Sequence, residues 1–153
     1  MLADVLGTER HNRSVERGGE NAWGDQHGTE EDCVGAAAEM AVCKWAGIYF
    51  LPTIDTFGEP DIPPDIQVRC RRLGPKAPLK YRELFVRPKD RDSHRFVLVT
   101  TDVEDASGSY VLRGWIYGRE ARVKNWWHDY GDKNKPAFFV PHAALRPMQE
   151  LIL

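Results

Sequence analysis

Three side chains with ligating oxygens and one fixed cation stand in order along this chain. Glu39 falls inside an amphipathic stretch, Asp61 follows a proline, and Gln67 and Arg69 are two residues apart on an alternating segment. Carboxylate and amide oxygens suit a hard cation such as Mg²⁺, and a guanidinium can hold a phosphate through two parallel hydrogen bonds. Arg69 stays protonated at any ordinary pH, so it can stabilise charge but cannot act as a base. A turn at Pro60-Asp61 would let the aspartate converge with the groups on the strand after it. Asp65 also follows a proline, but it would share the strand face of Gln67, so Asp61 is preferred.

Taken singly, each residue has an ordinary explanation. Pro60-Asp61 is common turn chemistry. Gln67, Arg69 and Arg71 suit the wet face of an amphipathic strand, and Glu39 suits a helix surface. Their order is what carries information.

Other chemistries find less support. His11, His27, His94, His128 and His142 are scattered without zinc-site spacing, and Cys33, Cys43 and Cys70 lack a C-x-x-C pair. The cysteines read as reduced, small and mostly buried. The chain has no phosphate-binding glycine loop, so no nucleotide cofactor is expected. No apolar run is long enough to span a bilayer, and the start lacks the basic and apolar parts of a signal peptide, so the expected location is the cytoplasm. The net charge is −2 over 153 residues. A nucleic-acid protein with that charge must gather its cations on one face.

The elements follow from periodicity. Residues 1–28 read as a polar arm, a short helix or extended lead-in, with Arg13 and Arg17 either solvated or near a phosphate backbone. A helix is expected over about 29–46, capped by Thr29, with Val34, Ala37, Ala38, Ala41, Val42 and Trp45 as its apolar stripe and Gly47 as its stop. Glu39 lies off that stripe among Asp32, Gly35, Ala36, Cys43 and Ala46, whose shortness lets another backbone come close. Residues 66–71 alternate, placing Ile66, Val68 and Cys70 on one side and Gln67, Arg69 and Arg71 on the other. Leu84 to Val86 reads as a short strand. The run from Phe96 to Thr101 suits a strand buried on both faces. Tyr110 to Tyr117 is another strand, with Gly114 marking a bulge. Residues 118–127 read as a partly helical connection, Pro136 to Val140 as a late edge strand, and Pro141 as the opening of a helical turn.

The series Gly35-Ala36-Ala37-Ala38-Glu39, Pro60-Asp61, Gln67-Val68-Arg69, Phe96-Val97-Leu98-Val99, Gly114-Trp115-Ile116-Tyr117-Gly118 and Phe138-Phe139-Val140-Pro141 resembles the PD-(D/E)XK nuclease superfamily, in particular a group of small phage and bacterial proteins placed in it. The likeness covers about residues 30–148. It implies an α/β, restriction-endonuclease-like fold, a mixed β-sheet of about four or five strands flanked by helices, as one domain over 29–153. It also implies a Mg²⁺- or Mn²⁺-dependent DNA endonuclease or related phosphodiesterase. In that scheme Asp61, Gln67 and the Val68 carbonyl hold the metal, Glu39 assists, and Arg69 stabilises charge. This chain departs from the pattern at two places: Gln67 occupies the second carboxylate slot and Arg69 the lysine slot. The same departures support an alternative, a catalytically inactive protein of that fold that binds DNA or a protein partner. An accessory phage protein without a nucleic-acid role is a third reading.

DNA is the expected partner, and a homodimer is open. The cationic front of Arg69, Arg71 and Arg72, with Arg13 and Arg17, would meet phosphates. Trp126 and Trp127 would either stack on unpaired bases or serve as core or lid residues.

Overall fold

The computed structural model describes residues 2–16, 25–54, 58–73, 77–78, 82–101, 109–129 and 135–153. In chain order they form α1 (Leu2–Glu16), α2 (Asp25–Ala46), β1 (Ile66–Arg72), β2 (Leu84–Val86), β3 (Arg95–Thr101), β4 (Tyr110–Tyr117), α3 (Gly118–Ala121), β5 (Trp127–His128) and β6 (Ala137–Val140). The architecture is mixed α/β, as expected, but the strands divide into two sheets of three. One has the order β1-β3-β4, the other β2-β6-β5. β1 runs parallel to β3, and all other pairs are antiparallel.

The division follows from where apolar side chains lie. β3 is buried along its whole length, so it needs a partner layer on each face. On one face Val97 and Val99 join Ala38, Val42 and Cys43 of α2, together with Ile66, Trp115, Met148 and Leu151. On the other, Phe96 and Leu98 meet Leu84, Val86 and Val140 of the second sheet, with Ile116 and Ala121. β6, expected at an edge, is therefore the middle strand of the second sheet. The helical turns at Gly118–Ala121, Lys124–Trp126 and His142–Ala144 fall where the sequence placed them.

The long helix begins at Asp25, so Thr29 lies within it and not at its N-cap. Its end is as expected: Gly47 has φ +68, its N–H bonds the Lys44 carbonyl, and the Ile48 N–H reaches back to Cys43. That pair of bonds closes a Schellman motif. Residues 2–16 are not a solvated lead-in. They form α1, which packs on α2 with Leu6 and Gly7 buried. A Cβ at Gly7 would lie 2.5 Å from the Cys33 Cα, so only glycine permits this approach.

Gly114 carries the expected bulge, where the β3–β4 register shifts between Leu98 and Val99. Its φ is +146, and a Cβ there would lie 2.6 Å from the Arg146 carbonyl oxygen. The C-terminal segment runs against it, with paired backbone bonds between Trp115 and Arg146. No disulfide joins Cys33, Cys43 and Cys70. No helix is long and apolar enough to cross a membrane among the described residues.

Substituting Gly7→Ala forces α1 away from α2. The expected loss is about 1–3 kcal/mol of stability, with faster amide exchange confined to residues 2–16. Unchanged exchange there would contradict this packing.

Candidate functional site

Glu39 projects from α2 toward α1 and is only 6% exposed. An ionised carboxylate at that depth requires a cation. Arg10 supplies it: Nη1 donates to Oε1 and Nη2 to Oε2, each at 2.8 Å. Arg10 lies one turn from Leu6 and Gly7, on the face that meets α2. Its Nε donates to the Thr53 carbonyl at 2.9 Å and Nη2 to the Thr53 hydroxyl at 3.1 Å, so α1, α2 and the segment after α2 meet at one guanidinium.

Asp61 joins this group from the turn before β1. The turn closes by reciprocal backbone bonds between Ile62 and Ile66. Asp61 Oδ2 then accepts the Val68 N–H at 2.7 Å. In a strand the N–H and C=O of one residue point the same way, so the Val68 carbonyl shares this open edge of β1.

Glu39 lies within the field of Asp61. Burial pushes Glu39 above the ordinary carboxylate range and Asp61 pushes it further, against the pull of Arg10. Burial also raises Asp61, outweighing the Val68 hydrogen bond and the fields of Arg69, Arg10 and His94. Even with Arg10 in place, burial is the stronger influence on both carboxyls.

Gln67 and Arg69 do not join them. Val68 and Cys70 pack toward the α2 layer, so the alternation turns Gln67 and Arg69 to the opposite face. The Gln67 amide donates to the Glu59 carbonyl at 3.0 Å. Arg69 is built into the second layer, its guanidinium carbon 5.2 Å from the Phe85 ring centroid and 5.1 Å from that of Phe96. Its Nη2 donates to Asp90 Oδ2 at 2.9 Å, and the same oxygen accepts the Arg87 N–H at 2.8 Å. Gln67 is therefore not placed to share a ligand set with Glu39, and Arg69 reaches Asp61 only through its field. Among the described residues no three His, Cys, Asp or Glu side chains converge.

Asp65, the other aspartate that follows a proline, is engaged elsewhere. Asp65 takes Arg95 through both oxygens, at 2.8 and 2.5 Å, and Arg95 in turn holds the Ile152 carbonyl. That is a structural clamp on the C-terminus. Arg13 forms an exposed pair with Glu9 on its own helix, and Arg17 lies outside the described residues. Arg71 and Arg72 are half-buried on opposite faces of β1. Trp126 packs against the second core cluster, whereas Trp127 is 40% exposed and leans on Phe138, ring centroids 5.0 Å apart. Arg10, Thr53 and Asp90 were not marked as site residues by the sequence. The small-residue face around Glu39 was the available signal for Arg10, since it announces a close neighbour without naming it.

The chain matches no family model, no curated protein and no solved structure.

Arg10→Met leaves Glu39 buried beside Asp61 without a cation. Chemical denaturation should register a loss of about 3–5 kcal/mol; a loss below 1 kcal/mol would show that Glu39 does not depend on this pair. Asp61→Asn acts in the other direction. A carboxyl raised on folding favours the fold fully below its unfolded value, near pH 4, and that contribution disappears as pH rises through the folded value. Asparagine keeps an oxygen for the Val68 N–H and removes the charge. Its stability relative to the parent should therefore increase from pH 4 to pH 8, and a constant difference across that range would refute the assignment.

Proposed function

We propose that the chain is a metal-dependent phosphodiester hydrolase of the DNA endonuclease type, centred on Glu39 and Asp61. The observation that carries this reading is the pair itself. Two carboxylates from distant parts of the sequence lie near enough for Asp61 to raise Glu39, and burial holds both above their ordinary range although Arg10 already holds one of them. The donors fit a hard divalent cation in type: two carboxylates, with the Val68 carbonyl on the adjoining edge. They fit less well in number, because Gln67 faces away.

A bound Mg²⁺ or Mn²⁺ would supply charge neutralisation at a phosphate and an acidified water. The chain's own residues supply position. Asp61 is fixed by the Val68 N–H, and Glu39 is fixed by two bonds to Arg10. Arg69 adds a positive field at Asp61 without contact. The substrate, the fold family and the cytoplasmic location belong to this proposal as well.

A second reading has its own observation. Arg10 already occupies both oxygens of Glu39, and Arg69 is committed to Asp90. A protein that holds nucleic acid without cutting it would tolerate both arrangements.

Calorimetric titration with Mg²⁺ and Mn²⁺, paired with cleavage of labelled single-stranded and duplex DNA, separates the two. The hydrolase reading expects metal-dependent cutting that falls 100-fold or more in Asp61→Ala, consistent with losing a direct ligand. Metal binding and cutting that are both absent from the parent chain would refute it.

A further inference from the structure

The face of β1 that carries Arg69 continues past the cover of the second sheet. Arg71 pairs with Thr100 across β1 and β3, and the Thr100 hydroxyl accepts the Arg113 Nε–H at 2.8 Å. Arg113 is the extra residue of the β4 bulge, between the Leu98–Gly114 and Val99–Leu112 pairs, which turns it onto this face. Arg82 and Arg87 bracket β2, the neighbouring strand of the second sheet. The Arg87 guanidinium carbon lies 5.4 Å from the Phe85 ring centroid, on the ring that also faces Arg69.

Five arginines thus gather at one end of the interface between the sheets, in a chain whose net charge is −2. Asp90 is taken by Arg69 and by the Arg87 amide. Arg71, Arg82, Arg87 and Arg113 form no ion pair with the described residues, and Glu83, next to Arg82, is the nearest acid in sequence.

We propose that Arg71, Arg82, Arg87 and Arg113 form a binding face for the phosphate backbone of a nucleic acid, on the side of the first sheet opposite α2. Their mutual repulsion supports it. Burial depresses Arg87 and Arg69 depresses it further, against the weaker pull of Asp90, while burial and then Arg82 depress Arg113. A folded chain that holds guanidiniums within one another's field, with a single carboxylate, Asp90, shared among them, has a place for anions. Two of the arginines are pre-positioned, Arg113 by Thr100 and Arg87 by Phe85, which lowers the ordering cost of gripping an anion. The spacing also favours a polymer over a single ion. Five residue steps of near-extended chain separate Arg82 from Arg87, roughly 15 Å, the reach of several successive phosphates. The choice of nucleic acid as the polyanion rests on the phosphodiester reading above; the cationic face does not depend on it.

The test is fluorescence anisotropy with a labelled 20-nucleotide single strand and the matching duplex, in EDTA so that metal chemistry is silent. Four phosphate contacts give a slope of log affinity against log salt of about −3. Arg82→Ala/Arg113→Ala should weaken binding at least 10-fold at low salt and flatten the slope by about 1.5. Arg82→Lys/Arg113→Lys should retain most of the slope, which separates lost charge from lost folding. Binding in EDTA needs neither metal nor cleavage, so a failed hydrolase and a failed binding face give different results. Parent binding that ignores salt, parent binding no tighter than that of the alanine variant, or complete displacement by millimolar inorganic phosphate would overturn the proposal.

Discussion

A carboxylate excluded from water must be paired, neutralised by a proton, or matched with a metal, and in this chain that demand falls on Glu39. Arg10 meets it from another helix with both oxygens engaged. The pairing explains why residues 2–16 are part of the structure. Beside it, the described contacts that hold this polar helix against α2 are the buried Leu6 and Gly7 and the Cys33 thiol on the Asp4 carbonyl. Thr53 extends the same constraint to the segment after α2, so three elements are registered by one guanidinium. Buried ion pairs seldom add net stability over apolar packing, but breaking one is costly. Retaining Glu39 beside a second carboxylate is easier to explain by function than by stability.

The remainder of the fold is organised by β3. Its burial on both faces requires two layers, and these separate the polar residues of β1 into two environments. Asp61 and the Val68 backbone lie at the strand edge near α2, and Arg69 lies under Phe85 and Phe96 on the other side. The bulge at Gly114 lets the C-terminal segment approach β4 and turns Arg113 outward. The sheet therefore sets the two carboxylates apart from the arginines of the opposite face.

Much of this was legible in the residues. The stripe ending at Gly47 located the end of α2, and alternation located β1 and assigned its faces. The unbroken apolar run at 96–101 announced a strand covered on both sides. The helix that carries Glu39 and the turn that carries Asp61 were legible because helix and turn signals are local; the grouping of the two carboxylates came only from their order along the chain. Convergence of Gln67 and Arg69 with that pair was not, because alternation says only that they share a face, not which layer covers it. Asp90, twenty-one residues from Arg69, decided the matter through a contact that no local pattern encodes. Arg10 escaped for a similar reason: a charge in a polar lead-in looks solvated until the helix it sits on finds a partner. The division into two sheets depends on β6 pairing between β2 and β5, a choice among strands that periodicity cannot make.

The central claim is that Glu39 and Asp61 form one under-compensated carboxylate pair able to take a cation. Carbon-detected NMR titration of the two side-chain carboxyls, with and without Mg²⁺, addresses it most directly. The account predicts that both titrate above the ordinary values of about 4 in the metal-free protein, that Glu39 falls in an Asp61→Asn background, and that both fall when Mg²⁺ is added. Ordinary values, independent of each other and unmoved by Mg²⁺, would contradict it.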